Sequence, residues 1–100
     1  MIYLVSYDIE SDKVRVKIAK KLLEFGLERI QYSVFLGVVK DSLTIPLKMQ
    51  LGDIFKNADL LKDKLLVIPL TRQQLKKHIS YGDNVPDFDY LCGELLVLVL

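Results

Sequence analysis

Hydrophobic and polar positions fall along the chain in two periods, two and near 3.6. Residues 2 to 9, Ile-Tyr-Leu-Val-Ser-Tyr-Asp-Ile, are rich in β-branched and aromatic side chains and stop at polar ones, which predicts a strand. Ile2, Leu4, Ser6 and Asp8 share one face of it; Tyr3, Val5, Tyr7 and Ile9 share the other. Both faces are mostly apolar, so the strand is expected to be central and covered on both sides. Ser11 and Asp12 suit a helix N-cap. Val14, Ile18, Leu22 and Phe25 then recur at helical spacing, and Gly26 is placed to end the helix. Residues 28 to 39 alternate with period two. Ile30, Tyr32, Val34, Leu36 and Val38 form one face, and Arg29, Gln31, Ser33, Phe35 and Gly37 the other. The pattern admits one bent strand or two short ones.

Asp41 and Ser42 open a second helical stretch to about residue 57, with Leu43, Leu47, Leu51, Ile54 and Phe55 as its stripe. Pro46 is tolerable there only near the first turn. Residues 64 to 70 read as a strand, and the capping-box spacing of Thr71 and Gln74 predicts a short helix over 72 to 79. Residues 80 to 89, with Gly82 and Pro86, read as a loop, and 90 to 100 as a final strand. With the 28 to 39 segment split, the order is βαββαβ, the ferredoxin-like α+β order with an antiparallel sheet, plus an extra C-terminal strand. Exposed, the apolar residues 95 to 100 would be an aggregation site, which pairing with a second chain removes.

The length, 100 residues, suits one domain over 1 to 100, and 51% hydrophobic with 27% charged residues suits a packed globule rather than a disordered chain. The apolar share is high for so small a body, which suggests that a partner covers part of it. Cys92 is the single cysteine, so no internal disulfide forms and a reducing compartment, the cytoplasm, is expected. The apolar start is interrupted at Asp8, too early for a signal peptide, and no apolar run is long enough to span a membrane. The net charge of +1 gives no hint of nucleic acid, but Lys13, Arg15, Lys17, Lys20 and Lys21 lie together with no acid among them.

Asp8 is the first candidate for chemistry, a carboxylate in a strand that otherwise reads as buried. Mg²⁺ often takes only one or two carboxylates and keeps several waters, so two copies of Asp8 meeting across a dimer axis would suffice. Glu10 and Asp12 are nearby alternatives, more simply read as a solvated loop residue and a cap. Arg15 falls inside the apolar arc of its helix, where its guanidinium needs an anion, Asp8 or a phosphate. Lys13, Lys17, Lys20 and Lys21 make a basic face, either merely solvated or in contact with a nucleic-acid backbone. Arg29, Gln31 and Ser33 line one strand face, and Phe35 beside them either packs or stacks on a base. His78 stands alone, without a serine or cysteine to form a triad, and no CxxC pair, P-loop or GxGxxG occurs.

Taken together, Tyr7-Asp8-Ile9, Asp12, Arg15, Lys17, Gly26, and the run Arg-Ile-Gln-Tyr-Ser-Val-Phe-Leu-Gly over 29 to 37 resemble the CRISPR-associated Cas-two family, the small partner of the spacer integrase. The resemblance is close over residues 1 to 40 and extends to the whole chain in length and element order. It implies a ferredoxin-like homodimer whose sheets face each other, with C-terminal strands that can cross to the partner. It implies a Mg²⁺- or Mn²⁺-dependent endonuclease on RNA or double-stranded DNA, and a scaffold for the CRISPR integrase. Asp8 would be the metal ligand, with Arg15, Arg29 and Phe35 around the site. Lys17 stands where some members carry arginine, keeping the charge but not the bidentate fork. Three other readings compete: a non-catalytic DNA bridge between integrase dimers, a related ribonuclease toxin of the same fold, and a ferredoxin-like small-molecule regulatory module.

Overall fold

A computed structural model of the chain describes residues 1–91. The elements are β1 (Ile2–Asp8), α1 (Asp12–Glu24), β2 (Glu28–Gln31), β3 (Val34–Val38), a 3-10 turn (Asp41–Leu43), α2 (Thr44–Phe55), β4 (Lys64–Leu70), α3 (Arg72–Lys76) and α4 (Phe88–Leu91). The four strands form one sheet in the order β2-β3-β1-β4 with every pair antiparallel. This is the expected ferredoxin-like βαββαβ arrangement: each βαβ crossover skips one strand, and the other half's central strand fills the gap. The 28 to 39 segment is two strands joined by a tight turn at Tyr32 and Ser33.

The alternation of β1 decides the layering. Tyr3, Val5 and Tyr7 are buried beneath α1 and α2, where they meet Val14, Ile18 and Leu22 of α1, Leu47 and Leu51 of α2, and Phe35 of β3. The α1 stripe is therefore the predicted one, and its start is the Ser11 N-cap, whose hydroxyl accepts from the Val14 N–H. Packing holds the helix more firmly than its cap does. Fully buried Ile18 and Leu22 each contribute about 2 kcal/mol, against about 1 kcal/mol for a serine cap. Leaving α1, the chain turns through Gly26 at φ +95° and passes so close over β3 that a Cβ on Gly37 would lie 2.9 Å from the Gly26 carbonyl oxygen and the Leu27 Cα. Glycine at 37 lets the helix exit rest directly on the sheet.

The opposite face of the sheet is apolar but only partly covered. Ile2, Leu36, Leu75 and Leu91 are buried there, with Leu4, Ile30, Leu70 and Phe88 packed against them. α3 and α4 supply this cover, and the α3 capping box of Thr71 and Gln74 is formed as predicted. Beyond them Ile68 is exposed and Leu66 remains 55% exposed. The expected two-sided burial of β1 is thus complete on the helix side and partial on this one.

Several boundaries differ from expectation. The second helix begins at Thr44, after a 3-10 turn, which leaves Pro46 within the first turn where its missing N–H costs nothing. The short helix ends at Lys76 rather than 79. The loop expected over 80 to 89 closes into α4, so Tyr90 and Leu91 are helical where the sequence predicts the start of a strand. Leu91 is drawn into the apolar cluster by burial, and the Tyr90 N–H finds an acceptor in the Asp87 carboxylate, one turn back. The remainder of that expected strand, with Cys92, lies outside the described residues. Among the described residues no helix is long and apolar enough to cross a membrane.

Gly37→Ala is expected to destabilise the fold by about 1–3 kcal/mol, because the backbone atoms facing it cannot yield as a side chain would. Urea unfolding of the purified variant measures this, and an unchanged midpoint would mean that the helix exit moves away freely.

Candidate active site

The C-terminal end of β1 gathers the chemistry-bearing residues, but on two sides of the sheet. Asp8 is the last residue of β1 and is exposed on the partly covered apolar face, in line with Ser6 and Leu4. Its Cα partner across the ladder is Lys64, the first residue of β4. Among the described residues Asp8 has no ion pair or hydrogen bond from its side chain. A carboxylate at this position escapes the burial of the strand before it because the ladder ends there, and water replaces protein around it.

Arg15 does not reach Asp8. Its Nη1 donates to the carbonyl oxygens of Ile9 at 3.0 Å and Glu10 at 3.1 Å, and its Nη2 pairs with Asp12. The expectation that Arg15 needs an anion is met, but the anion is one turn back on its own helix. The i,i+3 spacing puts Asp12 nearer than the strand end. The role of Arg15 in the chain is to fasten the loop after Asp8.

Asp63 fastens the same loop from the other side. It is the buried charged residue of the described chain. One carboxylate oxygen accepts the Glu10 N–H at 3.1 Å and the other the Asp59 N–H at 2.9 Å. Residue Glu10 is therefore gripped at both ends, its N–H by Asp63 and its carbonyl by Arg15. Neither Asp63 nor Lys64 stands out in the sequence, where polar residues before a strand are ordinary. Only the β1–β4 register brings them beside Asp8.

Across the sheet, a groove of about 420 Å³ runs between α1 and the β2–β3 turn. Arg15, Lys20 and Arg29 line it with Tyr7 and Tyr32. Arg29 is exposed, and its guanidinium carbon stands 5.1 Å from the centre of the Phe35 ring. Phe35 itself is fully buried and stacks on Tyr7 with ring centres 6.2 Å apart. Of its two readings, packing is the one the structure holds: the ring has no face open to a base, and it acts by supporting Arg29. The expected polar row of Arg29, Gln31 and Ser33 is broken. A β-bulge between Arg29 and Gln31 sets Gln31 opposite Val34, while Arg29 stays opposite Phe35. Ser33 sits in the turn, where its carbonyl accepts the Tyr7 N–H. Lys13 and Lys17 project into solvent on α1, and Lys21 pairs with Glu24 at 3.0 Å. His78 meets Phe88 with its ring tilted by 49° and centres 3.9 Å apart, away from either cluster.

A central strand ending in Asp8, a basic first helix and the Arg29–Phe35 pair are the features on which the sequence resembles one family, and residues 1–78 match that family, CRISPR associated protein Cas2. The chain belongs to the Cas2 family. Its relatives include a Pyrobaculum aerophilum protein named CRISPR-associated endoribonuclease Cas2 2. The two are 46% identical over 86 residues, which span 86% of this chain and 91% of that one. An Archaeoglobus fulgidus protein named CRISPR-associated endoribonuclease Cas2 1 is 37% identical over 73 residues, 73% of this chain and 74% of its own. The crystal structure of Streptococcus pyogenes Cas2 at pH 6.5 superposes with a TM-score of 0.67 at 25% identity, covering 82% of this chain and 100% of the other. The Cas2 match includes Asp8, Arg15, Arg29, Asp63 and Lys64, so both clusters lie inside it, whereas α4 lies beyond its end.

Asp63→Ala is expected to lower stability by about 2 kcal/mol, because two backbone N–H groups lose a charged acceptor. Chemical denaturation beside Asp63→Asn, which keeps one acceptor oxygen, is the check: the asparagine variant should fall between the alanine variant and the parent.

Proposed function

We propose that this Cas2-family chain acts as a homodimeric, Mg²⁺- or Mn²⁺-dependent endonuclease on RNA or double-stranded DNA in CRISPR spacer acquisition, and as a scaffold for the CRISPR integrase in the cytoplasm. The observation that carries this reading is the place of Asp8: a solvated carboxylate at the margin of an apolar sheet face left partly bare. A second copy packed on that face would cover Leu66 and Ile68 and bring a second Asp8 toward the first. The names of the Pyrobaculum and Archaeoglobus relatives support ribonuclease activity. The family match sets aside the toxin and the small-molecule regulatory module.

The donor set fits a divalent metal only as a shared site. Among the described residues no three histidine, cysteine or acidic side chains come together to hold a metal, so one chain offers no complete protein cage around Asp8. Mg²⁺ accepts one or two carboxylates when water and phosphate oxygens complete its shell, and Asp8 with its mate would be that pair. The metal, when bound, would supply Lewis acidity toward the phosphodiester and an activated water. The chain's own part is positional. Arg15 and Asp63 fix the loop that leaves Asp8, Lys64 stands opposite it as a cation for a phosphate, and Arg29 offsets phosphate charge on the far side of the turn.

A second reading, the non-catalytic bridge, draws on the same sparse donor set: among the described residues no cluster of three histidine, cysteine or acidic side chains forms that would hold a metal. One experiment separates the two. Labelled RNA and duplex DNA are incubated with the parent and with Asp8→Asn, in Mg²⁺, Mn²⁺ and EDTA. For the nuclease, cleavage requires metal and drops to the EDTA level in Asp8→Asn while the protein elutes unchanged from a sizing column. Cleavage indifferent to Asp8 supports the bridge, and retention of the integrase on immobilised protein then becomes the decisive assay. Leu66→Asp addresses the dimer independently. It is expected to shift sedimentation from dimer to monomer with the circular dichroism of the fold retained, and a dimer that persists would place the interface elsewhere.

A further inference from the structure

The groove between α1 and the β2–β3 turn holds a feature that the metal reading does not use. Tyr32, at the tip of a two-residue turn, is 72% exposed yet lines the groove wall. A large aromatic side chain at a turn tip is ordinarily a loss, because it orders water and packs on nothing. Here the turn that carries it is held firmly: Ser33 beside it accepts the Tyr7 N–H at 3.1 Å, and the bulge at Ile30 fixes how β2 enters it. The groove floor is Tyr7, one residue before Asp8, and its far wall is α1 with Val16, Ala19 and Lys20. Of its cations, Arg15 is neutralised by Asp12, whereas Lys20 and Arg29 have no ion pair among the described residues. Asp12 is the one acid in the lining.

An exposed aromatic face beside two unneutralised cations is the composition of a nucleotide subsite, with a π-surface for a base and positive charge for the phosphate next to it. A base in a duplex is already stacked on both sides and cannot lie on a tyrosine, so the subsite selects an unpaired one. We propose that this groove binds one unpaired nucleotide of a single-stranded stretch of RNA or DNA, its base stacked on Tyr32 and its phosphate met by Arg29 and Lys20. The proposal rests on the reading of the chain as a nucleic-acid enzyme and narrows its substrate class. It needs nothing from Asp8 or from the metal. Tyr32 is a binding and specificity residue in this assignment, and its hydroxyl has no part to play.

Fluorescence anisotropy with labelled single-stranded RNA, single-stranded DNA and duplex DNA, in EDTA so that nothing is cut, tests it on the intact chain. Tyr32→Ala is expected to weaken single-strand binding about ten-fold and leave duplex binding unchanged, while Tyr32→Phe binds like the parent because stacking survives. Equal loss on the single-stranded RNA and DNA identifies base and phosphate as what is recognised, and loss on RNA alone adds the ribose 2′-hydroxyl. Single-strand binding unchanged in Tyr32→Ala, or reduced equally on the duplex, overturns the subsite. So does an unchanged nucleic-acid profile with loss of integrase binding, which would make the groove a protein contact. Because binding is read in EDTA, where nothing is cut, a failure of the nuclease reading leaves this outcome untouched, and the two failures are told apart.

Discussion

The pairing of β1 to β3 on one side and to β4 on the other is the constraint that orders everything else. A strand with two neighbours has all its backbone groups engaged, so its side chains alone decide what its two faces meet. Tyr3, Val5 and Tyr7 on one face draw α1 and α2 onto the sheet, and Ile2 and Leu4 on the other draw α3 and α4. The last rung, Asp8 opposite Lys64, is where pairing stops and charge can be solvated. The candidate site exists at that end because that is where the ladder, and with it the requirement for apolar side chains, runs out.

The loop after Asp8 is held by polar contacts rather than by packing. Glu10, gripped by Asp63 through its N–H and by Arg15 through its carbonyl, joins three parts of the chain: the end of β1, the start of α1 and the entry to β4. Burying a carboxylate such as Asp63 is costly unless it is hydrogen-bonded, and here each of its oxygens accepts one backbone N–H. Arg15 is likewise satisfied within its own loop. Both residues act by fixing the direction in which the chain departs from Asp8, which keeps the carboxylate in one place relative to the sheet face.

Much of this architecture is legible in the sequence, and the parts that are not share a cause. The strands, the α1 stripe of Val14, Ile18 and Leu22, and the Thr71–Gln74 capping box are local or periodic signals, and each forms where the spacing puts it. Asp8 is legible because an acid interrupts an apolar run. The partner of Arg15 is not, because helical geometry places Asp12 nearer than the strand end, which a wheel of apolar positions does not weigh. The row of Arg29, Gln31 and Ser33 fails at a single bulge, since one extra residue turns the alternation over. Asp63 and Lys64 are invisible because their meaning lies in the register of β4 on β1, a contact between residues more than fifty positions apart. Tyr90 and Leu91 follow the burial of Leu91 rather than the strand propensity around them.

The sheet also sets a geometric condition on any substrate. Asp8 points to one of its faces, and Arg29, Lys20 and Tyr32 belong to the other, with the β2–β3 turn at the rim between them. A straight duplex lying on either face meets one set or the other. A flexible single strand can pass over the turn at Ser33 and meet both, because its backbone bends at little cost where a duplex resists. The same rim is tied through the Tyr7 N–H to the central strand, so both sets are anchored to β1. If the proposed assignments of the groove wall to a base and of Asp8 to a metal hold, their separation across the turn would convert binding at one into a choice of phosphodiester at the other, without any motif that names a sequence.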